Sequence, residues 1–261
     1  MTWWEGVILG IVQGLTEFLP VSSSGHLVVA EAALGLRTPG VFVEVAVHVA
    51  TLVAVAVVYW RRIGELLIGV MRGDRAAWTY VGLLVLGSVP AGLVGVLFKD
   101  WFESVFDSLL IVGVDFLVTG VLLWSTRLVR RPERSQPTSG GAAAIGLAQA
   151  AAILPGISRS GATVAAGMWV GVDPVRAAEF SFLMAMPAIA GAAVLQLPEL
   201  SAGALAVGPV PLAAAFVAAL VSGVAAIWLL LRLLARRAFH RFAPYCWLLG
   251  MATVAWALFG A

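Results

Sequence analysis

The chain has 261 residues, of which 61% are hydrophobic and only 11% are charged, with a formal net charge of +2 and a pI near 9.1. A soluble domain carries about 25% charged residues, so this composition excludes an ordinary soluble fold and indicates a polytopic membrane protein. The basic residues stand between apolar runs, which favours a role in membrane topology over nucleic-acid binding, and the single cysteine, Cys246, excludes an intramolecular disulfide.

Along the chain, the apolar runs predict an all-α integral membrane fold of six transmembrane helices and two interrupted segments. A helix needs about 20 apolar residues to cross the hydrocarbon core. Six runs have this length: 41–60, 78–98, 108–126, 177–197, 209–231 and 243–260. Two further apolar segments, 5–34 and 142–172, are broken near Pro20-Val-Ser-Ser-Ser-Gly25 and Pro155-Gly-Ile-Ser-Arg-Ser-Gly161. Each is either one kinked span or a re-entrant hairpin of two half-helices.

The positive-inside rule separates these two alternatives. If both segments are hairpins, one membrane face receives only Arg37 and Lys99, and the other receives thirteen arginines. If both segments span, the same residues divide 8 to 7 and define no orientation. The hairpin arrangement is therefore predicted, with both termini outside and the basic loops in the cytoplasm. The arginines of the basic face are Arg61, Arg62, Arg72, Arg75, Arg127, Arg130, Arg131, Arg134, Arg176, Arg232, Arg236, Arg237 and Arg241.

The two broken segments are also related in sequence. Three predicted spans separate them, and this odd number inverts one copy relative to the other in the membrane. We therefore expect a single membrane domain, with repeat 1 at about 1–126, a cytoplasmic linker at about 127–141 and repeat 2 at about 142–261. The two breaks would then meet near the membrane midplane. At an offset of 136 residues the matched polar or glycine pairs are Gly10 and Gly146, Gln13 and Gln149, Ser22 and Ser158, Ser24 and Ser160, and Gly25 and Gly161.

An arginine lies inside the second break, where a charge at bilayer depth costs roughly 2.5–3.5 kcal/mol. The helix that begins there presents free backbone N–H groups and the positive end of its dipole, which favour an anion. The planar guanidinium of Arg159 suits phosphate oxygens, and Ser158, Ser160 and Thr163 surround it in the sequence. Helix capping is the plainer role of Ser160 and Thr163. The pattern predicts a phosphate site, with a carboxylate as the partner of Arg159 when the site is empty.

The first break supplies that carboxylate. Gln13 and Glu17 are four residues apart and share a helix face, while His26 follows Ser22 by four residues and Ser23 by three. A serine beside a histidine is the arrangement of a nucleophile and its base. Glu17 suits two roles, which are to hold a divalent cation against phosphate oxygens or to orient the histidine. A purely structural ion pair with Arg159 is the alternative.

Other ionisable residues within the predicted spans also require partners. Glu44 and Glu179 occupy nearly equivalent positions of the two repeats, so we expect them to support the site from a second layer of residues. Asp115 has no motif around it. His48 is interpreted as a packing residue rather than a ligand.

The two broken segments resemble the two signature motifs of a known family, the BacA-type undecaprenyl-diphosphate phosphatases, which are bacitracin-resistance membrane proteins of bacteria. The resemblance extends over the whole chain and implies hydrolysis of undecaprenyl diphosphate to undecaprenyl phosphate and inorganic phosphate. That reaction recycles the lipid carrier for cell-wall synthesis. The motifs are Gln13-Gly-Leu-Thr-Glu17-Phe-Leu-Pro-Val-Ser-Ser-Ser-Gly-His26 and Pro155-Gly-Ile-Ser-Arg-Ser-Gly-Ala-Thr163.

The same resemblance implies roles for individual residues. Either the serine or the histidine of the first motif is the nucleophile, and we expect attack by Ser23 with His26 as base or proton shuttle. The family also suggests a requirement for Mg²⁺ or Ca²⁺, with Glu17 as the well-placed acid and Gln13 at a position where the family carries Glu or Gln. The implied catalytic residues are Ser23, His26, Glu17 and Arg159, and the implied diphosphate-binding residues are Ser22, Ser158, Ser160, Thr163 and Gln13.

A transporter or flippase of the polyprenyl phosphate is the alternative function, because inverted repeats with broken helices are typical of transporters. The repeats differ chemically, since Glu17 and His26 correspond to Ile153 and Ala162, and this asymmetry favours an enzyme. We expect a multi-pass protein of the bacterial inner membrane with an extracytoplasmic active site, a lipid substrate and no nucleic-acid partner. The oligomeric state stays open, a homodimer included.

Overall fold

The computed structural model describes residues 1–34, 40–98, 101, 102, 105, 108–130 and 133–259, with side chains except at 30–34, 40–42, 44, 192 and 195–207. The regular elements in this part of the chain are helices, apart from an isolated bridge between Arg134 and Val172. In the first half they are α1 Trp3–Phe18, α2 Ser23–Leu34, α3 Gly40–Val58, α4 Trp60–Met71, α5 Arg75–Leu97 and α6 Leu109–Ser125. In the second half they are α7 Ser139–Ala151, α8 Arg159–Trp169, α9 Pro174–Val207, α10 Pro209–Ala235 and α11 Ala243–Phe259.

Four helical stretches are long and apolar enough to cross a membrane: Arg75–Leu97, Leu109–Leu128, Pro209–Ala235 and Phe239–Phe259. They coincide with four of the six predicted spans. The other two predicted spans, 41–60 and 177–197, are also helical and correspond to α3 and α9. Large apolar side chains remain exposed along these helices, as at Val96 with 74% and Leu248 with 66%. Such surfaces require an apolar solvent, so the chain is a multi-pass membrane protein.

Both predicted interruptions are present, because helix ends at Phe18 and Ala151 are followed by new starts at Ser23 and Arg159. At the first break, Pro20 disfavours helical geometry for the residue before it, and Leu19 is extended with a ψ of 144°. Ser22 then adopts a left-handed φ of 66°. At the second break, Gly156 turns the chain with a φ of 106°, which a residue with a side chain rarely adopts.

Helix α1 is held in place by close packing on α10. Three glycines spaced by four residues, Gly6, Gly10 and Gly14, face the α10 backbone so closely that an added Cβ at any of them would clash with it. Small residues at this spacing let membrane helices approach each other. The contact fixes the rotation of α1, and therefore also the direction of Gln13 and Glu17.

Helix α7 packs on α5 in a comparable way. A Cβ added to Gly146 would collide with the backbone of Gly87. The two half-helices that precede the breaks thus each rest on a long apolar helix of the opposite half of the chain. Below them, Phe18 and Phe182 meet edge to face with ring centroids 5.3 Å apart, and both are buried. Both rings belong to one buried apolar core, which also includes Val21 of the first break.

Candidate active site

A cavity of about 380 Å³ lies where the two breaks meet, which is within the size range of small-molecule sites. Residues that are equivalent at the offset of 136 line it in pairs. The pairs are Thr16 and Ala152, Glu17 and Ile153, Ser22 and Ser158, and Ser23 and Arg159. The two members of a pair differ in chemistry, since Glu17 corresponds to Ile153 and Ser23 to Arg159.

The carboxylate of Glu17 is the centre of the polar network. Its side chain is only 6% exposed, and Arg159 Nη2 donates to Oε1. Oε2 accepts from Ser23 Oγ at 2.7 Å and from Gln13 Nε2 at 3.0 Å. The partner expected for the intramembrane arginine is thus present, and it offsets the cost of burying that charge.

Two polar atoms of this network have no hydrogen-bond partner among the described residues. They are Nη1 of Arg159 and Oε1 of Gln13, and both are buried. A buried donor on a guanidinium and a buried amide acceptor are costly unless something pairs with them. An anion beside Arg159 and a cation or donor beside Gln13 would satisfy these two atoms.

The serine of the first break ties the two breaks together. Ser22 Oγ accepts from Gly25 N at 3.3 Å and, across the interface, from Gly156 N at 3.2 Å. In the other direction, Ser160 Oγ donates to Leu19 O at 3.2 Å. These bonds keep the starts of α2 and α8 at one place, with both sets of N-terminal N–H groups near the cavity.

The helix that follows the second break is capped by a serine of the break itself. Ser158 is the N-cap of α8 and accepts from Gly161 N at 3.1 Å, and it also lines the cavity. Thr163 donates to Arg159 O at 2.7 Å and contacts the hydroxyl of Ser181. Ser160 and Thr163 are not among the residues that line the cavity, so the hydrogen bonds found for them are structural ones.

The structure does not bring His26 and Ser23 together as a nucleophile and base. Because Ser23 is the first residue of α2, its hydroxyl turns back to Glu17, while the imidazole of His26 lies outside the cavity lining. His26 Nδ1 is 2.6 Å from Ser22 O, and Nε2 is 2.7 Å from the hydroxyl of Tyr245. In this arrangement the histidine braces the first break against α11.

The histidine that lines the cavity is His48, which was interpreted from the sequence as a packing residue. His48 lines the cavity from α3, and its Nε2 lies 3.9 Å from Glu17 Oε2. Sequence reasoning had one signal for it, which is that an ionisable residue in an apolar span is a functional candidate by default.

Of the two glutamates expected to support the site, the structure describes the side chain of one, and that side chain does not line the cavity. The side chain of Glu44 lies outside the described residues. Glu179 accepts from Arg62 Nε and from Arg176 Nη1, each at 2.9 Å, and from Tyr80 OH at 3.4 Å. These partners belong to α4, α5 and the first turn of α9, so this carboxylate joins helix ends away from the cavity.

Asp115 is 7% exposed and its Oδ2 has no partner among the described residues.

A metal ion has few protein ligands available. Within the described residues, no group of three or more His, Cys, Asp or Glu side chains is placed to hold one. The cavity lining offers the carboxylate of Glu17, and the unpaired amide oxygen of Gln13 lies in the same polar network just behind it, outside the lining. Oxygen ligands of this kind suit Mg²⁺ or Ca²⁺, and Mg²⁺ often takes one or two carboxylates plus substrate phosphates. The donor set therefore fits an ion that arrives with, or is completed by, a phosphate.

Comparison with known proteins gives a consistent result over nearly the whole chain. The family described as "Bacitracin resistance protein BacA" matches residues 6–252. A protein of Desulforapulum autotrophicum named undecaprenyl-diphosphatase is 40% identical over 97% of this chain and 98% of its own length. Proteins with the same name from Syntrophotalea carbinolica and Parabacteroides distasonis are 43% and 40% identical, over 96% and 99% of this chain and 97% and 99% of their own lengths.

Proposed function

The chain belongs to the BacA family, and we propose that it hydrolyses undecaprenyl diphosphate to undecaprenyl phosphate and inorganic phosphate in the cavity between the two breaks. The observation that carries this assignment is the network of Glu17, Ser23 and Arg159, in which Arg159 Nη1 is buried and unpaired. A diphosphate oxygen would satisfy that donor. The transporter alternative gains no support from the relatives, which are named for a phosphatase reaction.

Ser23 is the nucleophile in this proposal, and Glu17 accepts its proton. The Oγ–Oε2 distance of 2.7 Å allows direct transfer. A substrate phosphate oxygen pairs with Arg159 Nη1, which is unpaired in the structure, while Nη2 stays on Oε1. A bond forms between Ser23 Oγ and the terminal phosphorus while the bond from that phosphorus to the bridging oxygen breaks, and undecaprenyl phosphate departs. Water then attacks the phosphorus of the phosphoserine, the bond from phosphorus to Ser23 Oγ breaks, and Glu17 returns the proton to Oγ as inorganic phosphate is released.

Most of the rate enhancement is electrostatic. Phosphoryl transfer needs positioning and charge stabilisation more than covalent assistance. Arg159 supplies a fixed guanidinium, and the N-termini of α2 and α8 begin at the cavity wall, where their dipoles favour an anion. Their backbone donors are held in place by the bonds between Ser22 and Gly156 and between Ser160 and Leu19.

A divalent cation is part of the proposal. Glu17 and Oε1 of Gln13 would hold Mg²⁺ or Ca²⁺ against the phosphate oxygens. When bound, the ion neutralises negative charge on the transferring group. The lipid tail would contact the apolar part of the cavity wall, which includes Leu27, Ile157 and Ile189.

We further propose the inverted-repeat topology, with repeats at about 1–126 and 142–261, a linker at about 127–141, and two re-entrant hairpins among six spans. Two features support it: α1 packs on α10 as α7 packs on α5, and the bond that Gly25 N donates to Ser22 Oγ recurs as the bond that Gly161 N donates to Ser158 Oγ. With the basic loops in the cytoplasm, the cavity opens toward the extracytoplasmic side of the inner membrane.

Phosphate release by the purified protein in detergent tests the function. The parent chain should release phosphate from undecaprenyl diphosphate when Mg²⁺ or Ca²⁺ is supplied. Ser23→Ala should lose at least a hundredfold in rate while keeping its elution volume and thermal midpoint. A folded parent without phosphate release would overturn the function, and an active Ser23→Ala would overturn the choice of nucleophile.

A further inference from the structure

The chain contains three histidines, and only one of them lines the cavity. His26 is bonded to Ser22 O and Tyr245 OH, and His240 packs edge to face on Trp124 with ring centroids 6.0 Å apart. His48 instead lies on α3, which packs against α1, α9 and α10. It belongs to neither of the two broken segments, so it adds a third structural element to the polar part of the site.

The position of His48 is complementary to that of Arg159. Arg159 donates to Oε1 of Glu17, while His48 Nε2 lies 3.9 Å from Oε2. The two cationic or potentially cationic groups therefore approach the carboxylate at different oxygens. A separation of 3.9 Å is too long for a hydrogen bond. It places Nε2 within reach of an oxygen atom located next to that carboxylate.

The exposure of His48 also argues for contact with a ligand. Its neighbours Val47 and Ala50 are 4% and 0% exposed, as expected for residues packed between helices. The side chain of His48 is 30% exposed, five times the 6% of Glu17 beside it. Both side chains line the cavity, and the imidazole presents the larger exposed fraction to a ligand.

From this geometry we propose that His48 is a substrate-binding residue that donates a hydrogen bond from Nε2 to the diphosphate. The inference rests on the proposed function. With Arg159 contacting the diphosphate from α8 and His48 contacting it from α3, the group is held from two sides above Glu17 and Ser23. An interaction of this kind, present in both the bound substrate and the transition state, lowers KM and changes kcat little.

Two substitutions separate hydrogen bonding from packing. His48→Leu keeps a similar volume without a donor, and His48→Gln keeps an N–H donor near the position of Nε2. We expect KM for undecaprenyl diphosphate to rise at least tenfold in His48→Leu with kcat within threefold of the parent, and His48→Gln to recover KM to within threefold. His240→Leu and His240→Gln are matched controls outside the cavity lining, at a histidine packed on Trp124, and should leave both constants unchanged.

Binding of inorganic pyrophosphate, measured by calorimetry, provides a second readout that does not depend on turnover. The parent should bind at least tenfold more tightly than His48→Leu, and His48→Gln should again resemble the parent. If His48→Leu does not fold, His48→Met takes its place in both assays. Equal KM and equal pyrophosphate affinity in parent and His48→Leu would overturn the proposal, as would a loss that His48→Gln shares in full. A parent that binds pyrophosphate but releases no phosphate contradicts the proposed hydrolysis alone.

Discussion

Replacing Arg159 by methionine leaves the Glu17 carboxylate buried without its cationic partner. The two side chains are 21% and 6% exposed, so solvent compensates little for the loss. Removing one member of a buried ion pair costs about 3–5 kcal/mol. Because Ser23 and Gln13 still donate to Glu17, we expect the lower end, about 3 kcal/mol. At about 1.4 kcal/mol per factor of ten, this corresponds to roughly a hundredfold shift of the folding equilibrium.

Adding Glu17→Gln to Arg159→Met removes the stranded charge. The double variant should therefore recover at least half of the lost stability, although phosphate release stays at least a hundredfold below the parent in both, as is usual when a transition-state donor is removed. Reversible unfolding by SDS in mixed micelles measures the stability difference. A matched control is Arg176→Met, since Arg176 is 53% exposed and its partner Glu179 retains Arg62.

That control should change the free energy of unfolding by no more than about 1 kcal/mol. The reasoning would be refuted if Arg159→Met and the double variant unfolded at the same SDS fraction. Such a result would mean that the charge of Glu17 is not compensated by Arg159. Equal losses in Arg159→Met and Arg176→Met would refute it as well, because burial would then have no influence on the cost of breaking the pair.

Three further predictions follow from the contacts around the site. His26→Ala and Tyr245→Phe should each lower kcat. The double variant should have the same kcat as His26→Ala alone, because both substitutions remove one hydrogen bond, and additive losses in kcat would contradict this. Gly14→Ala should destabilise α1 against α10, whereas Gly64→Ala, with nothing within 4 Å, should be neutral or slightly stabilising in a melting experiment. Chelation of divalent cations should abolish phosphate release. Gln13→Glu should lower the cation concentration that gives half-maximal rate about tenfold, since a carboxylate replaces an amide ligand. An unchanged cation titration would exclude Gln13 as a ligand.

The breaks could be predicted from the sequence because their causes are local. Pro20 prevents its predecessor from continuing a helix, and the serines that follow each proline suit new helix starts. The pairing of Glu17 with Arg159 was likewise predictable, because a charge at bilayer depth must find an opposite charge or a ligand, and the first break held the carboxylate that the matched motif of the second break lacks.

The rotation of the helices around the cavity was decided only by tertiary packing. Helix α3 carries Glu44, His48 and Thr51 at positions i, i+4 and i+7, which share one face, but its sequence does not show which neighbouring helix that face meets. Its packing against α1, α9 and α10 turns His48 toward Glu17. In the same way, the spacing of Ser23 and His26 suggested a shared face, but the start of α2 at Ser23 and the hydroxyl of Tyr245 direct the imidazole elsewhere. Local chain chemistry thus determined where the helices break and which charges must pair, and long-range packing determined which histidine reaches the cavity.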